Sequence, residues 1–389
     1  MPRSMRSLLA LGVLTGSAVQ LGSAQSLTPL ASKSFPFGSL PTQAAGANAG
    51  PRGPQSGFNN CNNSTAGPNS MCQTLVFNSI TDFCLWGTPG PNETIADTEA
   101  AEVAYCTNPE RGGRPIRAGA LHGIQWLYAE NYVQFAGFID QTAFGLADGD
   151  DGGELDPHGA DQQGNPLGGL LYTQAFSQSI KATQFNENFK NGQLINSDGE
   201  EGIQEWVLFI GNGMVCAKAC TNTDPNRAAL CNHIYDEIGC SYNAVADYSQ
   251  INGTFTVCDS TDMGPPGVFT QADGQVTTWV QPFTGSFTVP YTPTQVTSSN
   301  CFTYESTQLF PNLAATPTSS SGANAATTTG GAGSNGGSNG GAAGSSRSGS
   351  AGAPASTSGS GANAAFTVAA GPFTVFVGAM LGAFVTIFA

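Results

Sequence analysis

The run Gly123–Ile139, GIQWLYAENYVQFAGFI, decides the fold class. Three residues separate two stretches rich in aromatic and β-branched side chains, Gly123–Tyr128 and Tyr132–Ile139. Such side chains pack well on a pleated sheet and lose rotamer freedom in a helix. Working outward, similar short runs recur at Thr74–Phe77, Phe83–Trp86, Leu170–Tyr172, Trp206–Ile210 and Thr254–Val257. Gly267–Trp279 reads as a hairpin closed by Ala272-Asp273-Gly274. Helical periodicity is confined to Thr98–Val103 and to Asn226–Glu237, which opens after Asp224-Pro225. Many short strands punctuated by Gly, Pro and Asn predict a mainly β head, an antiparallel sandwich or barrel with few short helices. No internal repeat is visible.

The densest chemistry lies at Asp148–Asp161, DGDDGGELDPHGAD. Asp148, Asp150, Asp151, Glu154, Asp156 and Asp161 accompany His158, one of only three histidines. Glycines and Pro157 keep a regular helix out of this stretch. Carboxylates this close must be solvated, shifted in pKa or neutralised by a cation. The six acids are therefore a candidate Ca²⁺ site, although the register does not match an EF-hand: Gly152 and Gly159 fall where ligands are needed. Glu154 and Asp156 would share a face of an extended segment. Cleaving a sugar from there needs a partner carboxylate from elsewhere, such as Glu99, Glu102 or Glu205. Asp156-Pro157-His158 is also a candidate self-cleavage site, with Asp156 attacking its own carbonyl carbon and His158 moving the proton. The plainest reading of the stretch is a solvated loop.

The chain carries the marks of export. Met1–Ala24 has Arg3 and Arg6, an apolar run Leu8–Leu14 and a small-residue exit, which predicts a signal peptide that leaves Gln25 as the mature N-terminus. Residues 25–57 read as a disordered leader, 58–309 as the head, and 310–365 as a stalk rich in Ser, Thr, Gly and Ala. The apolar tail within 366–389 follows Ser360-Gly361-Ala362 and a short spacer. This is the grammar of a GPI signal, with Ser360 as candidate attachment residue. All ten cysteines lie in the head: Cys61, Cys72, Cys84 and Cys106, then Cys216, Cys220, Cys231, Cys240, Cys258 and Cys301. An exported chain with an even count reads as five disulfides, and the grouping suggests pairing within each set. Sequons stand at Asn62, Asn63, Asn92 and Asn252. The head holds all 27 acidic residues against three Lys and four Arg, which excludes nucleic acid as a partner.

The runs Asp97-Thr98-Glu99, Glu102–Thr107 (EVAYCT), Tyr132-Val133-Gln134, Gly152–Asp161 (GGELDPHGAD) and Asn165–Leu170 (NPLGGL) resemble a group of secreted fungal proteins labelled macrophage-activating glycoproteins. The resemblance spans roughly Cys72 to Cys301. It implies a fungal cell-surface glycoprotein and carries no catalytic residues with it.

Other enzyme classes lack parts: the head contains no G-x-S-x-G elbow, Gly-rich nucleotide loop or H-E-x-x-H helix. His122, His158 and His233 would have to converge to hold a metal. Among the aromatics, Trp279 and Tyr291 are expected nearer the surface than Trp86, Trp126 and Trp206, and would suit sugar stacking. The expected role is a non-enzymatic surface or wall glycoprotein that reaches the membrane only through its GPI anchor. The alternatives are a calcium- or glycan-binding module, with extracellular glycan as partner, and an acidic-pH polysaccharide hydrolase.

Overall fold

The structure, a computed structural model, describes residues 27–46, 50–192, 199–282, 285–311 and 313. The expected signal peptide, most of the stalk, Ser360 and the apolar tail lie outside these residues. The elements below belong to one of two compact units.

Along the chain run β1 (Thr74–Ser79), β2 (Asp82–Gly87), β3 (Val103–Cys106), β4 (Arg114–Pro115), β5 (Leu121–Tyr128), β6 (Tyr132–Ile139), β7 (Gly153–Leu155) and β8 (Leu170–Thr173). They are followed by β9 (Glu201–Gly202), β10 (Glu205–Gly211), β11 (Met214–Cys220), β12 (Phe255–Ser260), β13 (Val268–Thr270), β14 (Val276–Thr278) and β15 (Ser298–Tyr304). One sheet has six strands in the order β4-β3-β2-β1-β8-β9. The other has seven, β15-β12-β5-β6-β11-β10-β7, and β13-β14 form a separate hairpin. The head is thus β-rich, as expected. Most pairs are antiparallel, but β1–β8, β3–β4 and β5–β12 are parallel, because long connections return the chain in the same direction.

The two large sheets face each other across an aromatic core. Phe77 meets Phe135 edge-on at 5.1 Å, Phe83 lies 5.8 Å from Trp126, and Trp86 lies 4.6 Å from Trp206. Alternation assigns the faces. In β10, Trp206, Leu208 and Ile210 enter this core, while Val207 and Phe209 join a second cluster on the outer face. In β11, Val215, Ala217 and Ala219 point inward, which leaves Cys216, Lys218 and Cys220 on the outer face. Disulfides Cys216–Cys240 and Cys220–Cys231 staple the following segment over that face. Cys61–Cys72, Cys84–Cys106 and Cys258–Cys301 complete five bridges, all within the two sequence groups.

Several expectations need correction. The described parts of the leader, 27–46 and 50–57, pack on the head. Leu30, Ala44 and Ala45 are buried, Lys33 Nζ donates to Ala44 O, and Tyr172 donates its hydroxyl hydrogen to Phe35 O. Its composition is poor in large apolar groups, but the head meets its polar groups one by one. The helix expected at Thr98–Val103 is a single turn, Ile95–Thr98, capped by Thr94, and Val103 begins β3. Only Arg227–Leu230 of the expected Asn226–Glu237 helix forms, because the Cys220–Cys231 and Cys216–Cys240 bridges draw the rest onto the sheet. The longest helix among the described residues, Ala182–Lys190, was not expected. Among those residues no helix is long and apolar enough to cross a membrane.

Candidate functional site

The acidic stretch docks at the β7 edge of the seven-stranded sheet. There Gly152 adopts φ +82°, and a Cβ would stand 1.8 Å from Ile210 O. Only glycine fits so close an approach. The six candidate calcium ligands then fan apart. Asp148 and Asp151 are exposed, Asp150 accepts from the Ile95 amide at 3.0 Å, and Asp161 pairs with Arg52 of the leader. Glu154 and Asp156 are buried. Among the described residues no group of three or more His, Cys, Asp or Glu is placed to hold a metal ion. The physical reason is that four of the six acids are solvated or already partnered.

After β7 the chain makes a closed loop. Asp156 and Asn165 exchange backbone hydrogen bonds at 3.0 and 2.8 Å, and Asp156 Oδ1 accepts from the amides of His158 (2.6 Å) and Gly159 (3.0 Å). This turn aims the His158 ring at the start of β10, where its Nε2 lies 2.9 Å from Glu205 Oε2. Its Nδ1 meets Gln162 Oε1 at 3.2 Å. Both ring nitrogens are therefore engaged, so His158 of the candidate self-cleavage sequence Asp156-Pro157-His158 is held between Glu205 and Gln162. From the stapled segment, His233 stacks on His158 with centroids 4.0 Å apart. His122 lies apart, exposed on β5, so the three histidines do not converge.

Asn165 joins this loop to the turn that follows Ile95–Thr98. Its Nδ2 donates to Glu99 Oε1 at 2.5 Å and to Asp156 Oδ2 at 3.5 Å. Its Oδ1 accepts from Arg52 Nη1 at 2.6 Å, while Arg52 also binds Asp161 through Nε and Nη2 and Gly164 O through Nη2. The leader thus reaches into the site. Glu154, on the same outer face as Asp156, has no hydrogen-bond partner among the described residues on either carboxyl oxygen. Glu102 is fully buried, with one oxygen on Thr98 and the other unpartnered.

Environment sets the protonation states. Burial pushes Glu154 and Glu102 well above the usual carboxylate range, and Asp156's charge adds to the effect at Glu154. Glu99 is raised by burial and by Asp156, against the pull of Arg52. Burial also raises Asp156, opposed by the two loop amides. His158 is raised, since the hydrogen bond and charge of Glu205 outweigh burial, whereas burial and the neighbouring His158 lower His233. Lys218, fully buried on β11, is lowered to about 7 by burial. Its Nζ donates to Asn243 O at 2.8 Å.

Of the residues flagged in the sequence, the fold brings together Glu99, Glu154, Asp156, His158, His233 and Glu205. Asn165 and Arg52 were missed; an amide and a leader arginine leave no motif. The sequon residues Asn62, Asn63, Asn92 and Asn252 are all exposed. Trp86, Trp126 and Trp206 are fully buried, and Trp279 and Tyr291 are half-buried.

Comparison with known proteins gives two fungal relatives. The chain is 40% identical over 238 residues to the appressorium protein ROW1 of Mycosarcoma maydis, covering 59% of this chain and 51% of ROW1. It is 35% identical over 274 residues to the appressorium protein ROW2 of the same fungus, covering 69% of this chain and 83% of ROW2. The chain therefore spans about half the length of ROW1 and most of ROW2. No family model matches, and no solved structure matches. These relatives correct the expected kinship with macrophage-activating glycoproteins: the family named by the matches is a different one.

Proposed function

The chain belongs to the family of the appressorium proteins ROW1 and ROW2, and on that premise we propose that it is a surface glycoprotein of a fungal cell. Its head stands on a glycosylated stalk and is held to membrane or wall by a GPI anchor. The observation that carries the reading is the state of the cysteines: all ten are paired in disulfides. Such bonds persist in oxidising, exported surroundings. Four exposed sequon asparagines and a strongly acidic head support it further. A glycan coat and net negative charge keep such a head soluble and separate from anionic lipid. The relatives, named for the appressorium, make the surface of that cell the first place to look.

The test is release. Phosphatidylinositol-specific phospholipase C applied to membranes from cells expressing the full chain should free the head. Its C-terminal peptide should end near Ser360 and carry the glycolipid remnant. An intact C-terminal Ala389 on the mature protein would defeat the anchor.

A further inference from the structure

Away from the acidic loop, a cavity of about 310 Å³ opens between the helical turn Cys240–Asn243, the β13–β14 hairpin and residues 291–294. Its lining includes the rings of Tyr242, Phe269 and Tyr291 and the threonines Thr270, Thr292 and Thr294. Phe269 and Tyr291 stack at 4.5 Å, 16° from parallel, and Tyr291 meets Tyr242 at 5.4 Å. The array continues from Tyr242 through Tyr235 to Trp279, with centroids 5.4 and 5.9 Å apart. We propose that this pocket binds a neutral oligosaccharide of β-linked glucopyranose units, with a sugar ring laid against Phe269 and Tyr291. The proposal goes beyond the surface-protein reading and does not depend on the anchor.

The lining selects the class of ligand. The head carries 27 acidic residues, yet no Asp, Glu, Lys, Arg or His is among the described residues that line the cavity. A phosphate, carboxylate or ammonium ligand would shed water there with no counter-charge to meet it. A lipid chain fits poorly as well. Pockets for apolar molecules enclose most of the ligand surface, whereas Thr270, Thr292 and Thr294 are exposed and bring hydroxyls to the solvent edge of this one. The half-buried Phe269 and Tyr291 leave part of their rings open to a partner.

A neutral molecule with an apolar face and hydroxyl edges meets both demands. A pyranose whose substituents are all equatorial lays its ring C–H groups over an aromatic plane and turns its hydroxyls outward, toward groups such as the threonines. A proline-rich peptide also favours aromatic grooves, but Pro293 of this chain already lies in the lining.

The pocket is braced before a ligand arrives. The Gly267 amide donates to the Tyr242 hydroxyl oxygen at 3.1 Å, and the Tyr235 hydroxyl donates to Trp279 O at 2.6 Å. These bonds tie both ends of the β13–β14 hairpin to the segment that covers the sheet. Gly267 has φ +83°, and a Cβ there would stand 1.7 Å from the Tyr235 oxygen, so a larger residue would push the hairpin away. The Cys216–Cys240 bridge, two residues before Tyr242, fixes that segment to β11. Rings set in place this way lose little freedom on binding.

The same chemistry occurs in β-1,3-glucan and in β-1,4-glucan, so the experiment offers both. The full chain recovered from expressing cells is titrated calorimetrically with laminarihexaose, cellohexaose, an α-linked mannohexaose and a polyproline peptide. At least one of the two β-glucans should bind, the tighter of them naming the source, and salt should leave the affinity unchanged. Saturation-transfer NMR should light up the ring C–H protons of the bound sugar. Tyr291→Ala should weaken binding about tenfold. A Thr270→Val, Thr292→Val double variant, altered only at exposed hydroxyls, should weaken it to a similar extent, about tenfold. Asp148→Asn, exposed and outside the lining, should match the parent chain. If Tyr291→Ala fails to fold, the threonine variant and the NMR signal still decide. Folded protein that binds neither β-glucan, that prefers mannohexaose or the peptide, or that keeps full affinity in the threonine variant would overturn the proposal.

Discussion

His158 and His233 stack with their rings 17° from parallel, one raised in pKa and the other lowered. The pair is poised asymmetrically: Glu205 supports the charge on His158, and that charge opposes a second on His233. Sequence distance hides this contact, which the Cys220–Cys231 bridge brings about by turning the chain just before His233.

The shifted groups make stability depend on pH. His158 is raised, so its contribution is fully present below about 6.5 and is lost as pH climbs through the folded value. Glu99, Glu102, Glu154 and Asp156 are raised too, and their contributions, complete below about 4, fade as pH rises through their folded values. His233 runs the other way, gaining as pH rises toward 6.5, and Lys218 gains only above about 7. Five groups against one predict a Tm that falls between pH 5 and 7. Glu154→Gln should flatten that fall. A Tm that climbs steadily over the same range would contradict the assignment.

Arg111 joins two buried acids. Its Nε donates to Asp82 at 2.8 Å and its Nη1 to Glu200 at 3.0 Å, with side-chain exposures of 8% for Arg111, 12% for Asp82 and 2% for Glu200. Removing the cation strands both carboxylates, so Arg111→Ala should cost about 3–5 kcal/mol in urea unfolding. A loss below about 1 kcal/mol would mean that water reaches these acids freely.

Arg52 clamps the leader to Asp161, Asn165 and Gly164. Arg52→Ala should make residues 27–57 the first site of limited proteolysis while β1 to β12 stay protected. If the leader is cut equally fast in the parent chain, its packing against the head is not maintained in solution.

The sequence disclosed the central strands well. Tyr132–Ile139 was legible because its aromatic and β-branched residues fill both faces of a buried strand. β11 was missed because Met214–Cys220 is short on large apolar groups and carries Lys218, a residue that belongs inside only when a folded cover supplies Asn243 O. β15 is mostly exposed at a sheet edge, and only Phe302 and Tyr304 alternate onto the core, too short a pattern to mark a strand. In the site, Glu99 and Glu205 were foreseen as partners for the acidic stretch, but the amide that joins Glu99 to Asp156 was not. A hydrogen bond over 66 residues of sequence leaves no periodic trace.

The most direct test of an exported head stapled into this shape is disulfide mapping of the protein recovered from the cell surface. Non-reducing proteolysis and mass spectrometry should find Cys61–Cys72, Cys84–Cys106, Cys216–Cys240, Cys220–Cys231 and Cys258–Cys301, with no free thiol. Reduced cysteines in the mature protein, or any bridge between Cys61–Cys106 and Cys216–Cys301, would contradict it.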